Sequence, residues 1–162
     1  MNRHLGIFLF LIGLITPIII IVKTIQFNQD CGGYLKQAAD ANSVELAIER
    51  LDIAIDYAEK NNLTNGYTSV LWKTEDDNIG FWYKNLKTCR DELSSCMESS
   101  QFEKTNVLMK VRESLTDDSG ENGTIITLPG GISRYPNNLL IGVFFWISLF
   151  LIIIGSYFTL EY

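Results

Sequence analysis

The stretch NIGFWYKNLKTCRDELSSCMESSQFEKTNVLMKVRESL, residues 78–115, carries the pattern from which the rest of the chain can be placed. Read in sevens, Ile79, Leu86, Leu93, Ser100 and Val107 form one line, and Trp82, Cys89, Cys96 and Glu103 form a second. The two lines alternate at three- and four-residue spacing, the periodicity of a helix packed lengthwise against another helix. Asn78 offers an N-cap side chain, and Glu75, Asp76 and Asp77 ahead of it place negative charge at the positive end of the helix dipole. An unbroken helix over 78–116 is roughly 55 Å long at the standard helical rise, so it needs a long partner.

That partner is read in residues 34–61. Leu35, Ala38, Ala41, Val44, Ile48, Leu51, Ile55 and Ala58 recur at threes and fours, with Asp40, Glu45, Glu49, Asp52, Asp56 and Glu59 mostly on the other side. An alanine-rich seam admits the bulky Trp82, Leu86 and Leu93 of the facing helix. Antiparallel pairing sets Ala58 beside Trp82 and makes residues 62–77 the tip of a long helical hairpin over 34–116. Because the first helix is the shorter, Val107, Val111 and Leu115 are left to pack against residues 24–31 or against a second chain.

The tip has its own signals. Asn65-Gly66 is a turn signal, and Tyr67 to Trp72 is rich in β-forming residues. Tyr67, Trp72, Phe81, Trp82 and Tyr83 concentrate five aromatic rings there. Three consecutive rings cannot all face one helix. The expectation is a small satellite core clamping the loop to the helix end, with a ligand or partner surface as the functional alternative. A calcium loop starting at Asp76 fails, since Lys87 stands where a bidentate Glu is required.

Outside the hairpin the composition changes sharply. Residues 5–22 and 139–160 are apolar runs without a charged side chain, each about as long as the roughly 20 residues that cross a hydrocarbon core. They are read as transmembrane helices over 5–23 and 139–160, the first an uncleaved anchor because no small-residue cleavage site follows it. Residues 1–4 form a tail, 24–33 a juxtamembrane linker, and 117–138 a second juxtamembrane segment. In the latter, Thr124 to Leu128 is extended, to pair with a neighbouring chain's edge or lie on the membrane surface, and Pro129-Gly130-Gly131 turns. Thr16-Pro17 predicts a kink in the first apolar helix. The expected fold class is thus an all-α membrane protein, two transmembrane helices flanking a long antiparallel helical hairpin. The few flanking cations favour both termini in the cytoplasm and residues 24–138 extracytoplasmic.

Chemistry is mostly excluded. The chain has one histidine, His4, in the N-terminal tail, so no histidine-based triad or zinc cluster arises in the central segment. Its three cysteines cannot form a complete set of disulfides within one chain. Cys89 and Cys96 lie one seam repeat apart, beyond disulfide reach, and read as small buried hydrophobes, whereas Cys31 is open to an intermolecular bridge. With a net charge of −6 and no basic stripe, nucleic acid is not expected as a partner. No phosphate loop, catalytic residue, metal site or cofactor site is predicted. Asn62 and Asn122 begin glycosylation sequons.

The segments CGGYLKQAADAN (31–42), NLTNGYTSV (62–70) and GFWYKNLK (80–87) resemble those of small bacterial membrane-anchored helical-hairpin proteins that have no assigned activity. The resemblance implies a bacterial, extracytoplasmic setting and no catalytic residue. The expected function is non-enzymatic: partners are the lipid bilayer and either a second copy, completing a four-helix bundle, or another membrane protein. The alternative is a ligand-sensing or accessory subunit of a membrane receptor or transporter, binding at the aromatic tip or the bundle interface.

Overall fold

Pro17 has no amide hydrogen to give to the carbonyl of Gly13, and the N-terminal helix is interrupted just there. In the computed structural model, which describes residues 3–118 and 124–160, α1 spans Arg3–Gly13 and α2 spans Ile15–Phe27. A π-helical turn, Asn28–Gly32, leads into α3, Gly33–Ala39, followed by α4, Val44–Lys60. After a 3-10 turn at Glu75–Asp77 come α5, Ile79–Ser95, and α6, Gln101–Leu115. Two short strands, β1 (Thr116–Asp118) and β2 (Thr124–Ile126), precede α7, Asn138–Leu160. The chain divides into two compact units, Met1–Gln26 with Ser133–Tyr162, and Phe27–Ile132.

In the first unit, α1 and α7 pack antiparallel through small residues. A methyl group added at Gly155 would lie 2.6 Å from the Phe10 amide nitrogen and 2.7 Å from the Gly6 carbonyl oxygen. One added at Gly13 would lie 2.8 Å from the Ser148 carbonyl oxygen. Only glycine lets the two backbones approach this closely, the arrangement that small residues permit between apolar helices. The Thr159 hydroxyl donates to the Gly155 carbonyl at 2.7 Å and so hides its polarity within its own helix. Much of the surface of this unit is apolar and uncovered: Phe8 and Leu11 on α1, Ile18 and Ile21 on α2, and Phe144, Trp146 and Phe150 on α7 are all exposed.

The second unit departs from the expected hairpin at both long helices. The helix read over 34–61 is cut at residues 40–43, where the Ser43 hydroxyl accepts from the Leu46 amide at 3.3 Å and starts α4 afresh. From there α4 runs back along the segment it came from. Its Tyr57 ring meets Phe27 edge-on at 5.8 Å, and the Cys31 thiol lies 3.9 Å from the Ala54 carbonyl oxygen. Next, α5 runs antiparallel to α4, with Arg90 paired to Asp52 at 3.0 Å and Lys87 to Glu59 at 3.8 Å.

The helix read over 78–116 is also cut. Ser100 and Glu103 form a capping box, each side chain meeting the other's backbone amide, so a new helix begins at Gln101. It folds back beside α5: Lys110 pairs with Glu92 at 2.6 Å, and the Asn85 amide donates to the Ser114 carbonyl at 3.1 Å. The Arg112 guanidinium donates to the Ala39 carbonyl at 2.9 Å, tying α6 to the end of α3. Residues 27–39, α4, α5 and α6 therefore make an up-down-up-down four-helix arrangement within one chain, around Leu35, Ala47, Leu51, Ala54, Ile79, Leu86 and Leu93.

Two expectations change with this topology. Val111 and Leu115 are 1% and 3% exposed, covered by their own chain, and Val107 is half-buried. The overhang that called for a second chain does not exist. Residues 62–77 are not the far tip of a hairpin either, because they follow the end of α4 that packs beside Phe27. The extended segment also finds its partner internally: β2 pairs antiparallel with β1, Thr116 opposite Ile126 and Asp118 opposite Thr124. Asn122 lies outside the described residues, and Asn62, which is exposed, takes a left-handed conformation with φ 57° just after α4.

Candidate functional site

The start of α5 is held by the loop before it. The Asn78 side chain caps the helix, accepting from the Phe81 amide at 3.0 Å, as its position in the sequence leads one to expect. The Asp77 carboxylate accepts from the hydroxyls of Thr68 at 3.2 Å and Thr74 at 2.7 Å, and the Thr68 amide donates to the Asp77 carbonyl at 3.0 Å. These bonds close residues 68–77 into a loop with a fixed base. Asp77 is thereby committed to structure, and among the described residues no three His, Cys, Asp or Glu side chains come together to hold a metal ion.

Between this loop base, α5, the end of α6 and the β-hairpin lies a groove of about 500 Å³. Its walls come from Phe81, Trp82 and Leu86 on one side and Leu115, Ile126 and Leu128 on the other. Glu75, Asp76 and Asp117 bring exposed carboxylates to it, and among the described residues none that lines it is Lys, Arg or His. Trp82 is 6% exposed, and its indole N–H is buried with no acceptor among the described residues. A buried donor without a partner costs free energy. Grooves of this size, mostly apolar with a few polar groups, suit small organic ligands.

The aromatic residues singled out in the sequence part company here. Phe81 and Trp82 line the groove, and of the three overhang residues Leu115 does too. Tyr67 is half-buried in the loop base, its ring beneath the Lys73 ammonium at 5.3 Å and its hydroxyl 3.4 Å from the Asn78 amide nitrogen. Tyr83 turns toward α4, where its hydroxyl donates to Glu59, a bond that raises its pKa above the ordinary phenol range. Val111 belongs to the core, and Val107 lies along α6 away from the groove. Trp72 is 77% exposed. Leu63, Thr68 and Ile79, at the ends of the loop and within it, are buried, and of the five rings only Trp82 is.

No protein-family model, curated protein or solved structure matches the chain. The reading of the groove therefore rests on its own chemistry. The sequence places Ile126, Leu128 and Pro129 in a separate juxtamembrane segment and gives them no part in a site, whereas in the structure they line the groove. The signal that places them is the Ser100 capping box, because only the fold-back of α6 brings Leu115, and with it the following hairpin, beside Trp82.

The cysteines lie elsewhere. Cys31, Cys89 and Cys96 are all buried and free. Burial, more than any neighbouring charge, pushes the Cys89 thiol above its usual pKa. Cys31 is enclosed by α4, so the intermolecular bridge entertained from the sequence has no exposed thiol to form it.

Proposed function

We propose that the chain is a non-enzymatic two-pass membrane protein whose four-helix domain is a binding module, the groove beside Trp82 taking an amphiphilic organic cation. The observation that carries this reading is the groove itself: apolar walls and, among the described residues, only acidic side chains as the charged groups lining it. A flat apolar body fills the space between Phe81, Leu86 and Leu128. A positive group is attracted by Glu75, Asp76 and Asp117.

Membrane placement is supported by α1, α2 and α7. Two helical stretches, Arg3–Ala39 and Asn138–Leu160, are long and apolar enough to cross a bilayer, and only 11% of each most apolar window is buried. A core helix of a water-soluble protein would be covered. On this reading residues 24–138 lie outside the cytoplasm, and the module serves as a sensing or accessory subunit whose signal passes to another membrane protein. Self-association loses the support it drew from Val107, Val111 and Leu115, which are accommodated within one chain.

The test uses the full chain in phosphatidylcholine nanodiscs and two isosteric probes, 2-phenylethylammonium and phenylacetate. The cation raises the thermal unfolding midpoint and perturbs Trp82 emission, and the anion does neither. Exposed charge pairs contribute about 0.2–1 kcal/mol each, so Asp117→Asn weakens the cation by roughly 1.5- to 5-fold. Equal responses to both probes, or none to either, overturn the assignment.

A further inference from the structure

The loop closed by Thr68 and Asp77 carries an apex that its own fold leaves in the open. Val70, Leu71 and Trp72 are 49%, 73% and 77% exposed. They are consecutive, and an exposed run of large apolar residues marks an interaction site more often than scattered ones do. The apex is not slack, because the base beneath it is pinned by both Asp77 carboxylate oxygens and by the bridge between Tyr67 and Asn78. The loop holds the apolar side chains out.

Its place in the bundle says what they meet. Phe27, where the chain leaves the first apolar helix, packs against Tyr57 at the end of α4 that runs into this loop. On the return side, a methyl group at Gly130 would lie 3.6 Å from an Asp77 carboxylate oxygen, and α7 begins eight residues later at Asn138. Both connections to the apolar helices thus leave the domain at the end that bears the loop. Trp, with its large ring and one polar N–H, favours the boundary between headgroups and acyl chains, and exposed Leu and Val add buried apolar area there. After Lys73 and Thr74 come the carboxylates of Glu75, Asp76 and Asp77, which outnumber that one cation and disfavour a strongly anionic surface.

We propose that Val70-Leu71-Trp72 is an interfacial anchor that inserts into the headgroup region of the bilayer holding α1, α2 and α7, with Trp72 as its depth marker. The partner is a zwitterionic lipid surface. The inference rests on the two-pass reading above, and the experiment separates the two. The full chain is reconstituted in phosphatidylcholine vesicles as Trp146→Phe, so that only Trp72 and the buried Trp82 emit, with Trp146→Phe plus Trp72→Phe as the subtraction. Lipids brominated near the headgroup end of the acyl chain quench the Trp72 share more than lipids brominated near the terminal methyl, and aqueous iodide quenches it weakly. The opposite result, Trp72 indifferent to bromolipid and freely quenched by iodide, overturns the anchor. The two-pass reading then stands if Trp146, in a Trp72→Phe chain, is quenched by bromolipid. If Trp146 is indifferent as well, both fall. Trp72 is exposed, so its replacement leaves folding intact and the comparison meaningful.

Discussion

At the residue scale, two tryptophans ten positions apart in the sequence have opposite fates. Trp82 sits one turn into α5, on the face that α6 covers, whereas Trp72 stands at the apex of a loop. Trp82→Ala is expected to cost about 3–5 kcal/mol, because it removes a large buried ring and leaves a cavity. Trp72→Ala is expected to stay within about 0.5 kcal/mol in detergent solution, where no bilayer contributes. Denaturant titration followed by circular dichroism distinguishes them. Cys89 offers a pH prediction. Burial raises its thiol pKa in the folded chain, so the folded state holds that proton more tightly than the unfolded one does. Its contribution to stability is complete below the ordinary thiol range and declines as pH rises from there toward the folded value. Alkylation at neutral pH therefore labels Cys89 only after unfolding, and mass analysis of the labelled chain before and after denaturant checks it.

At the element scale, short polar signals decide where long apolar periodicities stop. Ser100 and Glu103 occupy positions that a heptad reading assigns to the buried seam, yet their spacing is that of a capping box, and the helix is cut there. Losing such a cap costs about 0.5–2 kcal/mol, so Ser100→Ala lowers the unfolding midpoint by a matching amount, while Ser100→Asp largely retains it. Thermal melts of the two variants side by side are the measurement. The same logic applies at Ser43, whose cap turns the chain back toward Phe27. Had both helices continued, Val111 would overhang Leu35 at the open end of a thin hairpin, with nothing from its own hairpin to cover it. With both cut, the two residues are buried in one bundle.

At the scale of the whole molecule, the two units are built on different rules. The Phe27–Ile132 unit closes on bulky side chains from four helical segments, supplemented by exposed ion pairs that add little. In the other, α1 and α7 approach through Gly6, Gly13 and Gly155, where backbone meets backbone. Gly155→Ile drives a side chain into the Phe10 amide and forces α1 and α7 apart. Spin labels at Ile7 and Phe158 are expected to show one short distance in the parent chain and a longer, broader distribution in the variant. The helical content of the Phe27–Ile132 unit is expected to be unchanged, since that unit closes on a core of its own.

What could be read from residues alone was mostly local. Two uncharged apolar runs, the break in the first of them ahead of Pro17, the cap at Asn78, the turn at Asn65-Gly66 and the burial of Leu86, Cys89 and Leu93 all follow from composition and spacing, because each depends on only a few neighbouring residues. The tertiary structure decided the rest. It set the fold-back of α4 and α6, the placing of residues 62–77 at the end where Phe27 emerges, the pairing of β1 with β2, and the groove that brings Leu128 to Trp82. The physical reason is that hydrophobic periodicity reports which face of a helix is buried but not what buries it. A second chain and a returning segment of the same chain satisfy Val111 and Leu115 equally well. The choice between them falls to caps worth about a kilocalorie each, such as those at Ser43 and Ser100. They bring distant segments together and let one chain bury what a sequence pattern would share between two.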